Sequence, residues 1–313
     1  MIKVLITGAG GQDGSQVANL HHLSGNNVLG LLNPKSQKTD LEFPTINLDF
    51  SDSKIAHSIL NSFKPDLIFH LAAVHHSGPQ EKIYEDRLEA DMIKCHVDIT
   101  KNILDWQSKN LNTASLFALT SKMYSPNKNG ERINEDSLLD PQNKYGTTKG
   151  LAFGLIKKYR QEFHLNSHAA ILFNHTSIRS KTQFVFPQLA LQLRKLLLEE
   201  ITEISMAEPE AEIDITHSDE ICRGLIRQIE LKEPSDLIYA RGETVKISDL
   251  ILQFQHKMNL TQSIKIVKSD QNLNLKLPLV GDPSQAQTLI GWKANKTPLE
   301  ILIELVHHQK VDN

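Results

Sequence analysis

Short apolar runs alternate with helical repeats through the first half of the chain. Val4-Leu5-Ile6 reads as a buried strand, followed by a helix over about 13–23. Strands are predicted at 28–32 and 45–48, a helix at 53–63 that stops before Pro65, and a fourth strand at 67–71. A long helical region spans about 85–107, a fifth strand 115–119, a helix 143–163 and a sixth strand 169–173. Continuous apolar strands separated by helices predict a parallel sheet covered on both faces, the α/β class in its doubly wound Rossmann form.

The rhythm changes after Asn174. A helix at about 186–199 leads into a polar stretch, then a strand at 211–215, a helix from His217 and a strand at 237–240. The tail predicts a helix at 247–256, a strand at 264–267 and a closing helix at 298–308. The expected division is a nucleotide-binding domain over 1–173, with a segment at about 214–242 returning to its sheet. A smaller C-terminal substrate lobe takes 174–213 and 243–313.

Composition narrows the function classes. Among 313 residues, 34 Lys+Arg nearly balance 37 Asp+Glu, a net of -3. That balance supplies no electrostatic reason for a nucleic acid or an anionic membrane as partner. The two cysteines, Cys95 and Cys222, lie far apart without a CxxC spacing, which fits a reducing compartment and neither a disulfide scaffold nor a zinc site. The 14 histidines form no metal set with usable spacing. No apolar run approaches the ~20 residues that cross a bilayer, and Met1-Ile2-Lys3 runs directly into the first strand. The expected location is cytoplasmic.

The first turn carries candidate chemistry. Thr7-Gly8-Ala9-Gly10-Gly11-Gln12-Asp13-Gly14 joins the first strand to the first helix, with Gly8, Gly11 and Gly14 at GxxGxxG spacing. Glycines there allow a tight turn and bring backbone N–H groups close to a pyrophosphate at the helix N-terminus. Asp49, followed by Phe50, ends the third strand and could accept from an adenine amino group; a helix cap is the alternative, for which Ser51 or Asp52 is better suited. The second strand ends at Asn33-Pro34-Lys35-Ser36, without the acidic residue that binds a ribose 2′-hydroxyl. Asn33, Lys35 and Ser36 could instead meet a 2′-phosphate, a lean towards NADP with NAD as the alternative. A solvated loop lysine is the plainer reading of Lys35.

Tyr145-Gly146-Thr147-Thr148-Lys149 puts a phenol and an ammonium four residues apart on one helical face. A neighbouring cation lowers a phenol's pKa and so prepares it as a base. The pair begins the helix after the fifth strand, which ends in Leu119-Thr120-Ser121, so a Thr120 hydroxyl is placed to bond the same substrate oxygen. The glycine loop, Asp49, the His70-Leu71-Ala72-Ala73 strand end, Thr120 and Tyr145/Lys149 together resemble the extended short-chain dehydrogenase/reductases of the epimerase/dehydratase family. The resemblance implies a Thr–Tyr–Lys catalytic triad, with Tyr145 and Lys149 also touching the cofactor and Leu71, Ala72 and Ala73 lining its site.

Further segments are similar to GDP-mannose 4,6-dehydratases: the loop with Gln12-Asp13, the run from Ile171 to Arg179, Phe184-Val185, Asp214 with His217, Gly281-Asp282-Pro283 and Gly291-Trp292-Lys293. The resemblance implies hydride chemistry at C4 of a nucleotide-linked sugar, most directly a GDP-hexose, a homodimer or homotetramer, and Asn174 and Arg179 among the substrate contacts. Val74-His75-His76-Ser77 stands where such enzymes touch substrate, which makes His75 and His76 candidates as well.

Departures from the family are equally specific. The glutamate expected two positions after the triad threonine is Lys122. An ammonium accepts no proton unless burial depresses its pKa, so Lys122 is either a desolvated base or a salt-bridging or solvated lysine. Pro187, Gln188 and Ile213 stand where basic residues for the sugar nucleotide are expected, and an Arg-Pro pair is missing near 272–276. Arg179, Arg194 and Lys195 are the remaining basic candidates. His96 replaces an asparagine and Ile99 a small residue in the long helical region. The expectation is a 4,6-dehydratase-like enzyme, with a 4-reductase or epimerase, or a cofactor-binding non-catalytic partner subunit, as alternatives.

Overall fold

The computed structural model describes residues 1–37, 40–75, 85–126, 130–261, 263–268 and 277–308, with backbone alone for 85–87. His76 and the 272–276 region lie outside the described residues. The strands are β1 (Lys3–Thr7), β2 (Asn27–Leu32), β3 (Thr45–Asn47), β4 (Leu67–His70), β5 (Ala114–Thr120), β6 (Ser167–Leu172), β7 (Asn174–Thr176), β8 (Glu203–Met206), β9 (Glu212–Ile213), β10 (Ile215–His217), β11 (Asp236–Tyr239), β12 (Val245–Lys246) and β13 (Lys265–Lys268). The helices are α1 (Gln12–Leu23), α2 (Ser53–Phe63), α3 (Glu85–Ile93), α4 (Ile99–Gln107), α5 (Lys144–Phe163), α6 (Val185–Leu197), α7 (Ser218–Ile229), α8 (Ile247–Lys257), α9 (Ser284–Ile290) and α10 (Pro298–His308).

Seven strands form one parallel sheet in the order β11-β6-β5-β4-β1-β2-β3. Alternate residues of each strand face opposite layers. Leu5, Ile68, Phe117, Leu119 and Ile171 pack with α2, α4 and α5 through Leu60, Ile103, Phe153 and Ile156. Val4, Ile6, Phe69, Leu116 and Tyr239 pack on the other face with Val17 of α1 and Ile221 and Leu225 of α7. Because both faces are covered, the strands carry unbroken apolar runs, and β5 is buried at every position. Truncating one such side chain, as in Leu5→Ala, leaves a void and costs about 3 kcal/mol.

A third core belongs to the C-terminal segments, where Phe186, Leu189, Ile204, Leu250, Phe254, Leu302 and Leu305 join α6, β8, α8 and α10. The polar stretch after α6 contains β8, paired in parallel with β13. Its alternation of exposed Glu203 and Ser205 with buried Ile204 and Met206 spans four residues, too few to stand out in the sequence.

Two predicted elements break for identifiable reasons. The strand expected at 211–215 is split at Asp214, whose buried carboxylate accepts the N–H groups of Arg241 at 2.7 Å, Gly242 at 3.1 Å and Gly281 at 3.3 Å. The long helical region opens into a π-helical turn over Lys94–Asp98, between α3 and α4. His96 lies fully buried in that turn, and such turns concentrate at functional sites. Among the described residues no helix is long and apolar enough to cross a membrane.

Candidate active site

The strand order reverses between β1 and β4, and the crevice beyond their carboxyl ends is where open α/β sheets bind ligands. Gly8 enters it at φ +72°, a left-handed conformation, and a Cβ there would lie 2.7 Å from the Ala72 backbone. A Cβ on Gly14 would lie 2.1 Å from the Gly8 carbonyl oxygen, so this crossing of turn and helix admits only hydrogen. Gly11 caps α1 without a side-chain hydrogen bond, leaving the first-turn N–H groups and the positive end of the helix directed at the crevice. These features fit the pyrophosphate of a dinucleotide.

Gln12 and Asp13 have side chains committed elsewhere. Gln12 accepts from Ser177 at 3.2 Å and also from Ser180. Asp13 accepts from Ser218 Oγ at 2.7 Å and meets His175 Nε2 at 3.0 Å. The pair expected to contact cofactor therefore ties the phosphate loop to the segments after β7 and β10, and only its backbone remains for a phosphate. The Asp13–His175 contact is the part of this arrangement that the sequence reading lacked, although His175 falls within the run quoted for the family resemblance.

At the end of β2, Asn33 Oδ1 accepts the Lys35 N–H at 2.9 Å, which forms an exposed turn. Asp49 is exposed and accepts from the Ser51 N–H at 3.0 Å and hydroxyl at 2.6 Å, while Asp52 caps α2. Phe50 is a core residue, and its carbonyl accepts from Asn102 at 3.1 Å. Leu71, Ala72 and Ala73 follow β4 on the opposite wall. Leu71 donates to the Thr7 carbonyl at 3.2 Å and Ala72 to the Thr7 hydroxyl at 3.4 Å, which holds that wall against the loop.

Thr120, Tyr145 and Lys149 converge at the carboxyl end of β5. Asn143 caps α5 by accepting the Gly146 N–H at 2.8 Å. A Cβ on Gly146 would lie 2.0 Å from the Lys122 carbonyl, and this close approach sets Tyr145 beside Thr120, whose hydroxyl bonds the phenol. Lys149 is buried and donates to the Ala118 carbonyl at 2.7 Å. Desolvation, partly offset by Cys95, brings its pKa down to about 8. The phenol moves against expectation: burial raises its pKa, and the Thr120 hydrogen bond only partly opposes that. Without compensating charge the half-buried phenol stays protonated, because the desolvation of a phenolate exceeds what one hydroxyl returns.

Two histidines enclose Tyr145. His96 accepts the Val74 N–H on Nε2 at 3.1 Å, so its proton resides on Nδ1, which donates to Thr148 Oγ1 at 2.8 Å. Thr148 passes its own proton to the Tyr145 carbonyl at 3.1 Å. The His96 ring meets the phenol edge-on at 5.3 Å between centroids, and the His75 ring lies tilted over it at 4.7 Å. Burial and the Lys149 charge push His96 far down, and partial desolvation with the charges of Lys149, His175 and Lys181 lowers the more exposed His75 to about 4. Both imidazoles are neutral at ordinary pH.

Lys122 is an exposed residue, so the burial that would make it a base is lacking. Asn174 donates to the Asp214 carbonyl at 3.2 Å and helps to hold β7 beside β10. Arg179 forms an ion pair with Asp219 at the start of α7, so its charge is already answered within the protein. Arg194 and Lys195 lie in the last turn of α6. Phe184 is exposed and meets His75 edge-on at 6.0 Å across the mouth of the cleft.

A doubly wound sheet with a glycine turn at its switch point, and a Thr–Tyr–Lys group at the end of its fifth strand, define an extended short-chain dehydrogenase/reductase. Within that class the chain belongs to the GDP-mannose 4,6 dehydratase family, whose model matches residues 5–305. It is 24% identical to GDP-mannose 4,6 dehydratase 2 of Caenorhabditis elegans, over 96% of this chain and 87% of the relative. The UDP-glucose 4-epimerase of Thermotoga maritima, solved with UDP-glucose, superposes with a TM-score of 0.83 at 17% identity, covering 98% of both chains. A dTDP-glucose 4,6-dehydratase from Bacillus anthracis, solved with NAD, gives 0.79 at 14% identity, covering 98% of this chain and 96% of that one.

Proposed function

We propose that the protein is an NAD(P)-dependent enzyme that oxidises C4 of a nucleotide-linked hexose, with dehydration of a GDP-hexose as its reaction. The observation that carries this reading is the convergence of Thr120, Tyr145 and Lys149 beside the glycine loop. The cofactor, when bound, supplies a hydride acceptor and, in its oxidised form, a positive charge. Gly8, Gly11 and Gly14 would hold its pyrophosphate, and Lys149, anchored on the Ala118 carbonyl, would hold its ribose. Thr120 would donate to the C4 oxygen while Tyr145 takes the C4 hydroxyl proton. The buried ammonium of Lys149 and the cofactor's charge together oppose the desolvation that keeps the phenol protonated.

NADP is the preferred cofactor in this reading, with NAD as second choice, because the exposed turn after β2 offers Lys35 and no carboxylate. The enzyme is cytoplasmic and forms a homodimer through α3, α4 and α5, or a homotetramer built from such dimers. The nucleotide-binding domain takes residues 1–173 and 214–242, and the remainder forms the substrate lobe. Exposed Lys122 in the glutamate position favours one second reading, a 4-reductase or epimerase, since neither needs the additional acid–base group.

The test incubates purified protein and NADP or NAD with GDP-, CDP-, UDP- and dTDP-hexoses and follows product mass. Loss of water from GDP-mannose supports the first reading. A gain or loss of two hydrogens, or no mass change with an inverted C4, supports the second. A protein that binds cofactor yet converts no sugar in the panel refutes both and leaves the non-catalytic partner.

A further inference from the structure

Dehydration across C5 and C6 requires a group that takes the C5 proton and returns a proton to the departing C6 hydroxyl. Thr120 and Tyr145 are committed to the C4 oxygen in the proposed reaction, and Lys122 is exposed. We propose that the imidazole of His75 is this second acid–base group, an inference that rests on the dehydratase reading above.

Three observations carry it. His75 lies over the catalytic phenol, with ring centroids 4.7 Å apart, so a sugar whose C4 oxygen reaches Tyr145 presents its adjoining carbons close to this imidazole. It retains exposed surface and meets Phe184 at 6.0 Å, so it stands at the cleft between the sheet-end loop and the segment leading into α6. Its backbone is also held: His96, from the π-helical turn, accepts the N–H of the preceding Val74 at 3.1 Å and donates to Thr148 on the tyrosine helix at 2.8 Å. One buried histidine thus locks the His75 loop to the helix that carries Tyr145. The charged groups around His75 are Lys149, Lys181, His175 and Asp13, and with desolvation as the largest influence they set its pKa at about 4. An ordinary glutamate titrates at about 4.3, so neutral His75 has the basicity of the carboxylate it would replace.

The step balances. From a sugar already oxidised to the C4 ketone, a neutral His75 nitrogen takes the C5 proton. The C5–H electron pair becomes the C5–C6 double bond as the C6–O bond breaks. The imidazolium gives its proton to the departing hydroxide, water leaves, and His75 is neutral again.

The experiment uses the full chain with NADP or NAD and GDP-mannose in deuterated water. It follows three quantities: reduced nicotinamide, deuterium at C5 and loss of water. For His75→Asn the expected result is hydride transfer within about threefold of the native protein, with C5 exchange and dehydration lowered by about 100-fold or more. His75→Glu restores both by about tenfold over His75→Asn, and Lys122→Ala leaves both nearly unchanged. The proposal is overturned if His75→Asn still exchanges C5 at the native rate, or if Lys122→Ala abolishes exchange. It is also overturned if His75→Asn loses hydride transfer in proportion, which would make the residue structural. Hydride transfer by the native protein without C5 exchange overturns the proposal alone. Absence of hydride transfer from every sugar nucleotide overturns the dehydratase reading and this step with it.

Discussion

His175 donates from both ring nitrogens, to the Asp13 carboxylate at 3.0 Å and to the Phe173 carbonyl at 2.8 Å. Two acceptors facing one imidazole require both nitrogens to carry protons, so the ring is an imidazolium paired with a carboxylate. Desolvation opposes both charges, yet the pairing prevails: the His175 pKa lies above its usual 6.5 and that of Asp13 below its usual 3.8.

This pair gives folding a defined pH dependence. The His175 contribution is fully present below its unfolded pKa and is lost as pH rises through its raised folded value. The Asp13 contribution is present above its unfolded pKa and is lost as pH falls through its lowered folded value. Stability measured by urea unfolding should decline as pH rises above the ordinary histidine value of 6.5, and His175→Gln should flatten that decline. Asp13→Asn, which leaves an imidazolium without its partner in a site that is mostly buried, should cost about 3 kcal/mol. An unchanged alkaline slope in His175→Gln would show that the ring is not charged.

Glycine positions separate binding from folding. Gly14→Ala forces a carbon against the Gly8 carbonyl and should weaken NAD(P) binding, measured by calorimetry, by about 100-fold or more. Gly154→Ala, inside α5 with no atom within 4 Å of the added carbon, should leave binding intact and raise stability by about 0.5–1 kcal/mol. Equal affinity in Gly14→Ala would place the pyrophosphate somewhere other than this turn.

The raised phenol and lowered ammonium predict the profile of hydride transfer. The rate should increase with pH above neutrality as Tyr145 gives up its proton. It should level or fall above about pH 8, where Lys149 loses its charge. Tyr145→Phe should lower the rate by about 100-fold or more with little change in cofactor affinity, whereas Lys149→Met should reduce both. Stopped-flow absorbance of the reduced cofactor measures the first effect and equilibrium binding the second. A flat profile with native-like turnover in Tyr145→Phe would remove the phenol from the reaction.

The proposed dimer has a surface to test. Ile93 on α3 and Leu151 on α5 are 39% and 56% exposed on helices that pack together, and burying them against a second copy would recover apolar area. Leu151→Asp should shift the protein to monomer in light scattering while leaving cofactor affinity unchanged, because Leu151 points away from the crevice side of α5. A native protein that is already monomeric would refute the interface.

Sequence periodicity was sufficient for the sheet. Strands buried on both faces must be apolar throughout, and β1, β2, β4, β5, β6 and β11 each lie within a residue or two of their predicted places. The glycine turn was legible for a similar reason: 2.1 Å between a Gly14 Cβ and the Gly8 carbonyl leaves no other residue possible. Elements whose cause lies in a distant partner were not legible. Asp214 splits a predicted strand because its acceptors' donors come from residues 241, 242 and 281, and β8 exists because β13 pairs with it.

The same division runs through the site. The motifs that carry the family resemblance were legible in the order of residues, because each is local: the glycine turn from Gly8 to Gly14, Thr120 at a strand end with Lys122 two positions on, and Tyr145 and Lys149 on one helix. Only the tertiary structure turned Gln12 and Asp13 inward, answered Arg179 with Asp219, left Lys122 exposed and raised the Tyr145 phenol. It also closed His75 and His96 around Tyr145, bringing together residues 49 and 70 positions apart. Protonation and desolvation depend on which groups meet and how much water remains between them, and neither quantity is defined until the chain has folded.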